Sequence, residues 1–245
     1  MSESIGTRHE TSLHRDLKFC YTGDDGQTET AVGGFVADGI NANGEYIEIQ
    51  TGSFGPLKKK VKELASYGKL KIVYPVIVSK HIEVFNTKGR RQYRRKSPRR
   101  GTPWDLFDAL VYAPELPLVR GLAIEIVLVD AVERRVQDGK GSWRRKGVSI
   151  HDRHLTAIHE RICLKKPADY VCFLPFAGKD PFTSALFAEK AGIAVDMARK
   201  ALYVLTRIGL VRKIGKEGKK LVYRAVPAKK TTKNSQNSSQ LRTTT

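Results

Sequence analysis

The chain has 245 residues, with 44 Lys and Arg against 25 Asp and Glu and a formal net charge of +19 at pH 7. That length supports one large domain or two ordinary ones, and the charge points to a polyanionic partner, nucleic acid before an anionic membrane surface. No apolar run reaches the roughly 18 residues of a membrane helix, residues 1–5 lack a signal-peptide core, and three cysteines without C-x-x-C spacing argue against a disulfide framework or a structural zinc. A soluble cytoplasmic protein with buried, reduced thiols and no membrane partner is expected.

Residues 7–20 read as a helix. Leu13 and Leu17 stand four apart, Phe19 and Cys20 extend the apolar side, and Thr7 or Thr11 caps the start. Glu10, His14 and Lys18 form a second stripe, which is either a solvated face with favourable Glu-to-Lys spacing or a row looking down on the next element. Residues 21–34 are turn-rich, with a short strand near 28–32.

Residues 34–50 place two β-prone runs around an Asn/Gly turn, a hairpin with strands near 34–41 and 45–50. A three-residue loop, 42–44, closed by Gly44 in the left-handed region, sets Asn41 against Glu45 and Asp38 against Glu48, with Gln50 on the Glu48 face. A two-residue loop, Asn43 and Gly44, sends Asp38 and Glu48 to opposite faces. Opposed carboxylates repel unless a cation or a proton neutralises one; the alternative is an exposed face where both are simply solvated. Residues 51–56 break the strand. A helix over 56–67 follows, with Leu57, Val61 and Leu64 apolar and Lys58, Lys59, Lys60 and Lys62 around them. Residues 71–78 form a central strand, and 81–85 pair with it or extend it.

An acidic residue in an N-terminal helix (Glu10), a strand Asp (Asp38), a strand Glu-x-Gln (Glu48, Gln50) and a following helix together resemble the PD-(D/E)xK, restriction-endonuclease-like nuclease superfamily, over about residues 7–85. The resemblance implies a mixed β-sheet core flanked by helices and Mg²⁺ or Mn²⁺ held by Asp38 and Glu48. Glu10 then orients or completes the metal shell. Ala37 stands where the motif has proline, and Gln50 where it has lysine. Lys60, with Lys58 second, is placed to supply the missing positive charge.

From residue 86 the composition turns basic, with Lys88, Arg90, Arg91, Arg94, Arg95, Lys96, Arg99 and Arg100 around Tyr93. This is either a disordered tract or a loop that grips phosphates. Arg144, Arg145 and Lys146 beside Trp143 repeat the theme. Between them lie a short helix over 104–112 and a strand over 122–130. Glu115 and Glu125 have no evident chemical partner, and His151, His154 and His159 read as phosphate-facing or core residues.

Residues 167–226 close with a short helix over 169–174, a helix from the Thr183 cap to Ala191, a turn at Gly192 and a helix over 195–208. The buried side of the last is expected to be Val195, Ala198, Leu202 and Leu205. Strands at 210–212 and 221–224 flank a basic loop, 215–220. Helix, turn, helix and basic hairpin resemble a winged helix-turn-helix domain, which implies DNA contacts from Arg199, Lys200, Lys216, Lys219 and Lys220. Residues 227–245 read as a disordered basic and polar tail.

The expected architecture is therefore α/β, with a nuclease-like core in 1–166, a winged helix in 167–226 and the tail beyond. The expected function is metal-dependent cleavage of DNA, in a homodimer or with a partner protein where both strands are cut. The alternative is an inactive nuclease fold serving as a DNA-binding regulator or assembly subunit.

Overall fold

The computed structural model describes residues 11–176 and 180–226; Thr7, Glu10 and the tail lie outside the described residues. Helix α1 (Ser12–Thr22) starts where the Thr11 hydroxyl accepts the His14 N–H at 3.4 Å. Leu13 and Leu17 are buried as expected. Phe19 is exposed, because two residues beyond Leu17 is nearly half a turn away. All three cysteines are exposed rather than buried.

Strands β1 (Gln27–Val32), β2 (Phe35–Ile40) and β3 (Tyr46–Ile49) run antiparallel in sequence. Gly39 pairs with Ile47 and Ile40 with Tyr46, the register of the three-residue loop. The loop is fixed locally: Gly44 takes a φ of 70°, its N–H donates to the Asn41 carbonyl at 2.9 Å, and the Asn41 amide oxygen accepts the N–H groups of Asn43 and Glu45.

A 3-10 turn, Gly55–Leu57, leads into α2 (Lys58–Tyr67), which buries Leu57, Val61 and Leu64 as its spacing predicts. The runs at 71–78 and 81–85 prove to be one strand, β4 (Leu70–Phe85). The basic tract is ordered into a hairpin, with β5 (Arg91–Lys96) returning along β4. After α3 (Leu106–Leu110) come β6 (Leu122–Gln137) and β7 (Val148–Leu164), a long strand that carries His151, His154 and His159.

These strands form one seven-stranded mixed sheet in the order β1-β2-β3-β4-β6-β7, with β5 also on β4. The β3–β4 and β4–β6 pairs are parallel and the others antiparallel. Ile47, Ile49, Val73 and Val127 pack with Leu13 and Leu17 on the α1 side. Ile72, Tyr74 and Val76 face α2 and α3 on the other, and Glu48, paired with Ile72, shares that face.

A 3-10 segment, Pro167–Phe173, precedes β8 (Phe182–Thr183), α4 (Ser184–Ala191), α5 (Val195–Arg207), β9 (Val211–Glu217) and β10 (Lys220–Ala225), with the strands ordered β8-β10-β9. Thr183 caps α4 and Gly192 turns left-handed between the helices, as expected. Ala198, Leu202 and Leu205 are buried, whereas Val195, in the first turn, is exposed. The basic loop is shorter than expected, because both strands run on to a turn at Gly218 and Lys219. One continuous core joins this unit to the large sheet: the Trp104 ring lies edge-on to Phe173 and Phe187 at 5.1 and 5.9 Å.

Candidate active site

The register that places Gly39 against Ile47 puts Asp38 opposite Glu48 at the next step, where the ladder opens. In a regular continuation the Ile49 N–H would meet the Ala37 carbonyl. Instead it donates to Asp38 Oδ2 at 2.7 Å. The same oxygen lies 3.3 Å from His14 Nε2, which also stands 3.0 Å from the Ile49 carbonyl oxygen. From α2, Lys60 Nζ reaches Glu48 Oε1 at 2.6 Å. The strand turn thus aligns two carboxylates, α1 supplies an imidazole and α2 an ammonium.

The two acids have different environments. Burial and the facing Asp38 charge push Glu48 up to about 7 against the opposing pull of Lys60. Burial also pushes Asp38 upward, but the His14 hydrogen bond and charge, the Ile49 N–H and Lys60 together outweigh it and hold the group below its ordinary range. Near neutrality Asp38 is ionised and Glu48 is half protonated. Glu48 Oε2 is buried without a hydrogen-bond partner, a costly state for a carboxylate oxygen.

That orphaned oxygen and a second hard oxygen donor on Asp38 fit a divalent cation of the Mg²⁺ class. Among the described residues no three His, Cys, Asp or Glu side chains converge to complete such a shell; Glu10 lies outside them. Gln50 is committed elsewhere: its amide donates to the Ser53 carbonyl at 2.6 Å and fixes the turn into α2. Lys58 points away from the pair, toward Glu115 at 3.6 Å.

Of the expected nucleic-acid contacts, Arg90, Arg91, Arg94, Arg95, Arg99 and Arg100 are all exposed. Arg91 and Arg94 lie 3.4 and 3.7 Å from Glu83. Arg144 is exposed and lies 5.5 Å from the ring centre of Trp143, itself 82% exposed. Arg145 is half-buried and donates to the Val148 carbonyl. Arg199, Lys216, Lys219 and Lys220 face solvent. Lys200 is half-buried, and Asp108 and Asp196 hold its ammonium at 2.9 and 2.8 Å.

Two buried acids have partners that the sequence did not reveal: Glu125, to which it assigned none, and Glu133, which it did not single out. Glu125 accepts the Tyr21 hydroxyl and pairs with Lys71 at 3.3 Å. Glu133, with no accessible surface, binds Lys80, Arg135 and Arg153. Residues 130–136 show no regular alternation of charged and apolar side chains that would mark Glu133, and its partners Lys80 and Arg153 lie on other strands.

A family model described as "Domain of unknown function (DUF8091)" matches residues 11–165, the large sheet with its helices. An uncharacterized protein of Treponema pallidum (strain Nichols) is 29% identical over 226 residues, covering 91% of this chain and 88% of its own. No solved structure matches.

Proposed function

We propose that this chain, which belongs to the family described as "Domain of unknown function (DUF8091)", is a metal-dependent DNA endonuclease. The observation that carries the reading is the opposition of Asp38 and Glu48 across the open end of the hairpin, with Glu48 Oε2 buried and unpartnered. Asp38 and Glu48 would hold Mg²⁺ or Mn²⁺. Such an ion lowers the pKa of a bound water and neutralises charge on the phosphate under attack.

The protein's own groups then divide the work. His14 and the Ile49 N–H fix the Asp38 carboxylate in its ionised form. Lys60 supplies from α2 the cation that Gln50 cannot, placed to stabilise negative charge developing on phosphate oxygens. Gln50 shapes the turn that delivers α2. The exposed arginines of β5 and its flanks would bind duplex phosphates. The order β8-α4-α5-β9-β10 supports a winged helix whose exposed Arg199, Lys216, Lys219 and Lys220 add to the DNA surface.

The Lys60–Glu48 ion pair favours one second reading, in which lysine replaces metal and the fold is an inactive DNA-binding regulator or assembly subunit. Cleavage of plasmid, linear, single-stranded and branched DNA with Mg²⁺ or Mn²⁺ separates the two. Metal-dependent cutting lost in Asp38→Ala is expected. Equal DNA binding by both proteins with no cutting by either overturns the nuclease in favour of the regulator.

A further inference from the structure

Because β6 occupies one edge of β4 along its whole length, β3 and β5 share the other. β3 pairs with β4 as far as Val73 and β5 begins at His81. Among the described residues, the edge between these points has no strand against it. The segment after β5 crosses this notch: the Ser97 N–H donates to the Lys80 carbonyl at 2.7 Å and the Gly101 N–H to the Ile77 carbonyl at 2.9 Å. Glycine is required at 101, since a Cβ there would stand 2.7 Å from both the Ile77 carbonyl oxygen and Val76 Cγ1.

The crossing leaves a cleft of about 180 Å³, with Tyr74 and Val76 as its apolar wall and Lys80, Arg99, Arg153 and Asp105 around it. Its volume is well above the roughly 10–15 Å³ that admits a single water. The Tyr74 hydroxyl is tied to the Asp105 carbonyl at 3.1 Å, and its ring packs edge-on against Phe54, four residues beyond Gln50. The cleft is therefore on the sheet face that carries Glu48, just past the end of β3.

Its cations are held in place from below. Glu133, fully buried, accepts from Lys80 at 2.8 Å and from Arg153 at 2.9 Å on one oxygen and from Arg135 on the other. Arg99 stands 3.9 Å from Asp105 at the rim. Three cations, Lys80, Arg99 and Arg153, and one carboxylate, Asp105, line the cleft; the buried Glu133 behind them is balanced by its third partner Arg135, so the site keeps a surplus of two positive charges.

We propose that this cleft binds a phosphate monoester. Near pH 7 such a group carries about −1.5 to −2 charges, matching the surplus, whereas an internal phosphodiester carries only one. Arginine offers the planar fork that phosphate oxygens accept, and prior anchoring by Glu133 removes part of the ordering cost. The monoester arrives either on a free nucleotide or at the end of a nucleic-acid strand. The site stands whether or not Asp38 and Glu48 cleave DNA.

Titration calorimetry of the full chain at low ionic strength tests this with inorganic phosphate, a nucleoside 5′-monophosphate and the parent nucleoside. Saturable binding of the phosphates but not the nucleoside is expected. Arg99→Glu, at a side chain 80% exposed and so harmless to folding, is expected to weaken it by about tenfold or more, while Lys190→Glu, equally charge-reversing but on α4, changes it less than about twofold. Short oligonucleotides with and without a 5′-phosphate identify the source: a preference for the phosphorylated end that Arg99→Glu erases marks a strand end, and nucleotide binding without that preference marks a free nucleotide. Absence of saturable phosphate binding, or equal weakening by both variants, overturns the proposal.

Discussion

Lys60 Nζ and Glu48 Oε1 stand 2.6 Å apart, joining the helix after the hairpin to the carboxylate on its second strand. Removing that cation takes positive charge from the proposed catalytic site and removes both the charge and the hydrogen bond by which Lys60 holds Glu48 down. Lys60→Ala is expected to slow metal-dependent cleavage on the order of a hundredfold, with Lys60→Arg intermediate. The pH of half-maximal rate should also move upward in Lys60→Ala, since Glu48 then releases its proton later. Single-turnover rates across pH, with DNA affinity measured in parallel, check both.

Glu48 also sets a pH dependence of stability. Its folded pKa of about 7 exceeds the ordinary 4.5, so between these values the folded chain holds a proton that the unfolded chain releases. This contribution is complete below pH 4.5 and is lost as pH rises through 7, about 3 kcal/mol in all. Asp38 works in the opposite sense at lower pH: its lowered pKa adds stability above pH 3.8 that disappears as pH falls. Urea unfolding should show the decline toward neutral pH, a larger rise with Mg²⁺ at pH 8 than at pH 5, and neither effect in Glu48→Gln.

Glu133 is the strongest electrostatic anchor of the long strands. Glu133→Ala leaves Lys80, Arg135 and Arg153 without their shared carboxylate, and a cost of about 3–5 kcal/mol is expected in urea unfolding. Because its pKa is lowered to about 2 by these hydrogen bonds, which outweigh the opposing effect of burial, the stabilisation persists above pH 4.5 and is lost as pH falls toward 2.

Gly44 carries the hairpin register through a φ of 70°. Gly44→Val forces a β-branched residue into left-handed space, at a cost of about 1–2 kcal/mol. Nothing within 4 Å would meet the new Cβ, so the loss measured in urea unfolding reports backbone strain alone.

Arg199 and Lys200 are neighbours with different expected roles. Arg199→Ala should weaken DNA binding and reduce the slope of log K against log salt by about one. Lys200→Ala should leave that slope unchanged and lower stability, because its ammonium is occupied by Asp108 and Asp196. Anisotropy titrations at several salt concentrations, beside thermal melts, separate the two.

The sequence by itself determined what short-range geometry controls. Leu57, Val61 and Leu64 dictate the buried side of α2, and Thr183 and Gly192 bound α4; the Asn/Gly turn of the hairpin was legible too, but it fitted both a two- and a three-residue loop, and the structure selects the three-residue register that sets Asp38 opposite Glu48. The large β7 strand escaped notice because its alternation is carried by His151, Arg153 and their neighbours, whose pairing partners on β6 are fixed only by the sheet. Glu125 meets Tyr21 across 104 residues of sequence, and Glu133 meets Lys80 across 53. The notch between β3 and β5 exists only because both use one edge of β4. Such relations depend on which strands become neighbours, a choice made by burial of the whole sheet against its helices; no local spacing encodes it.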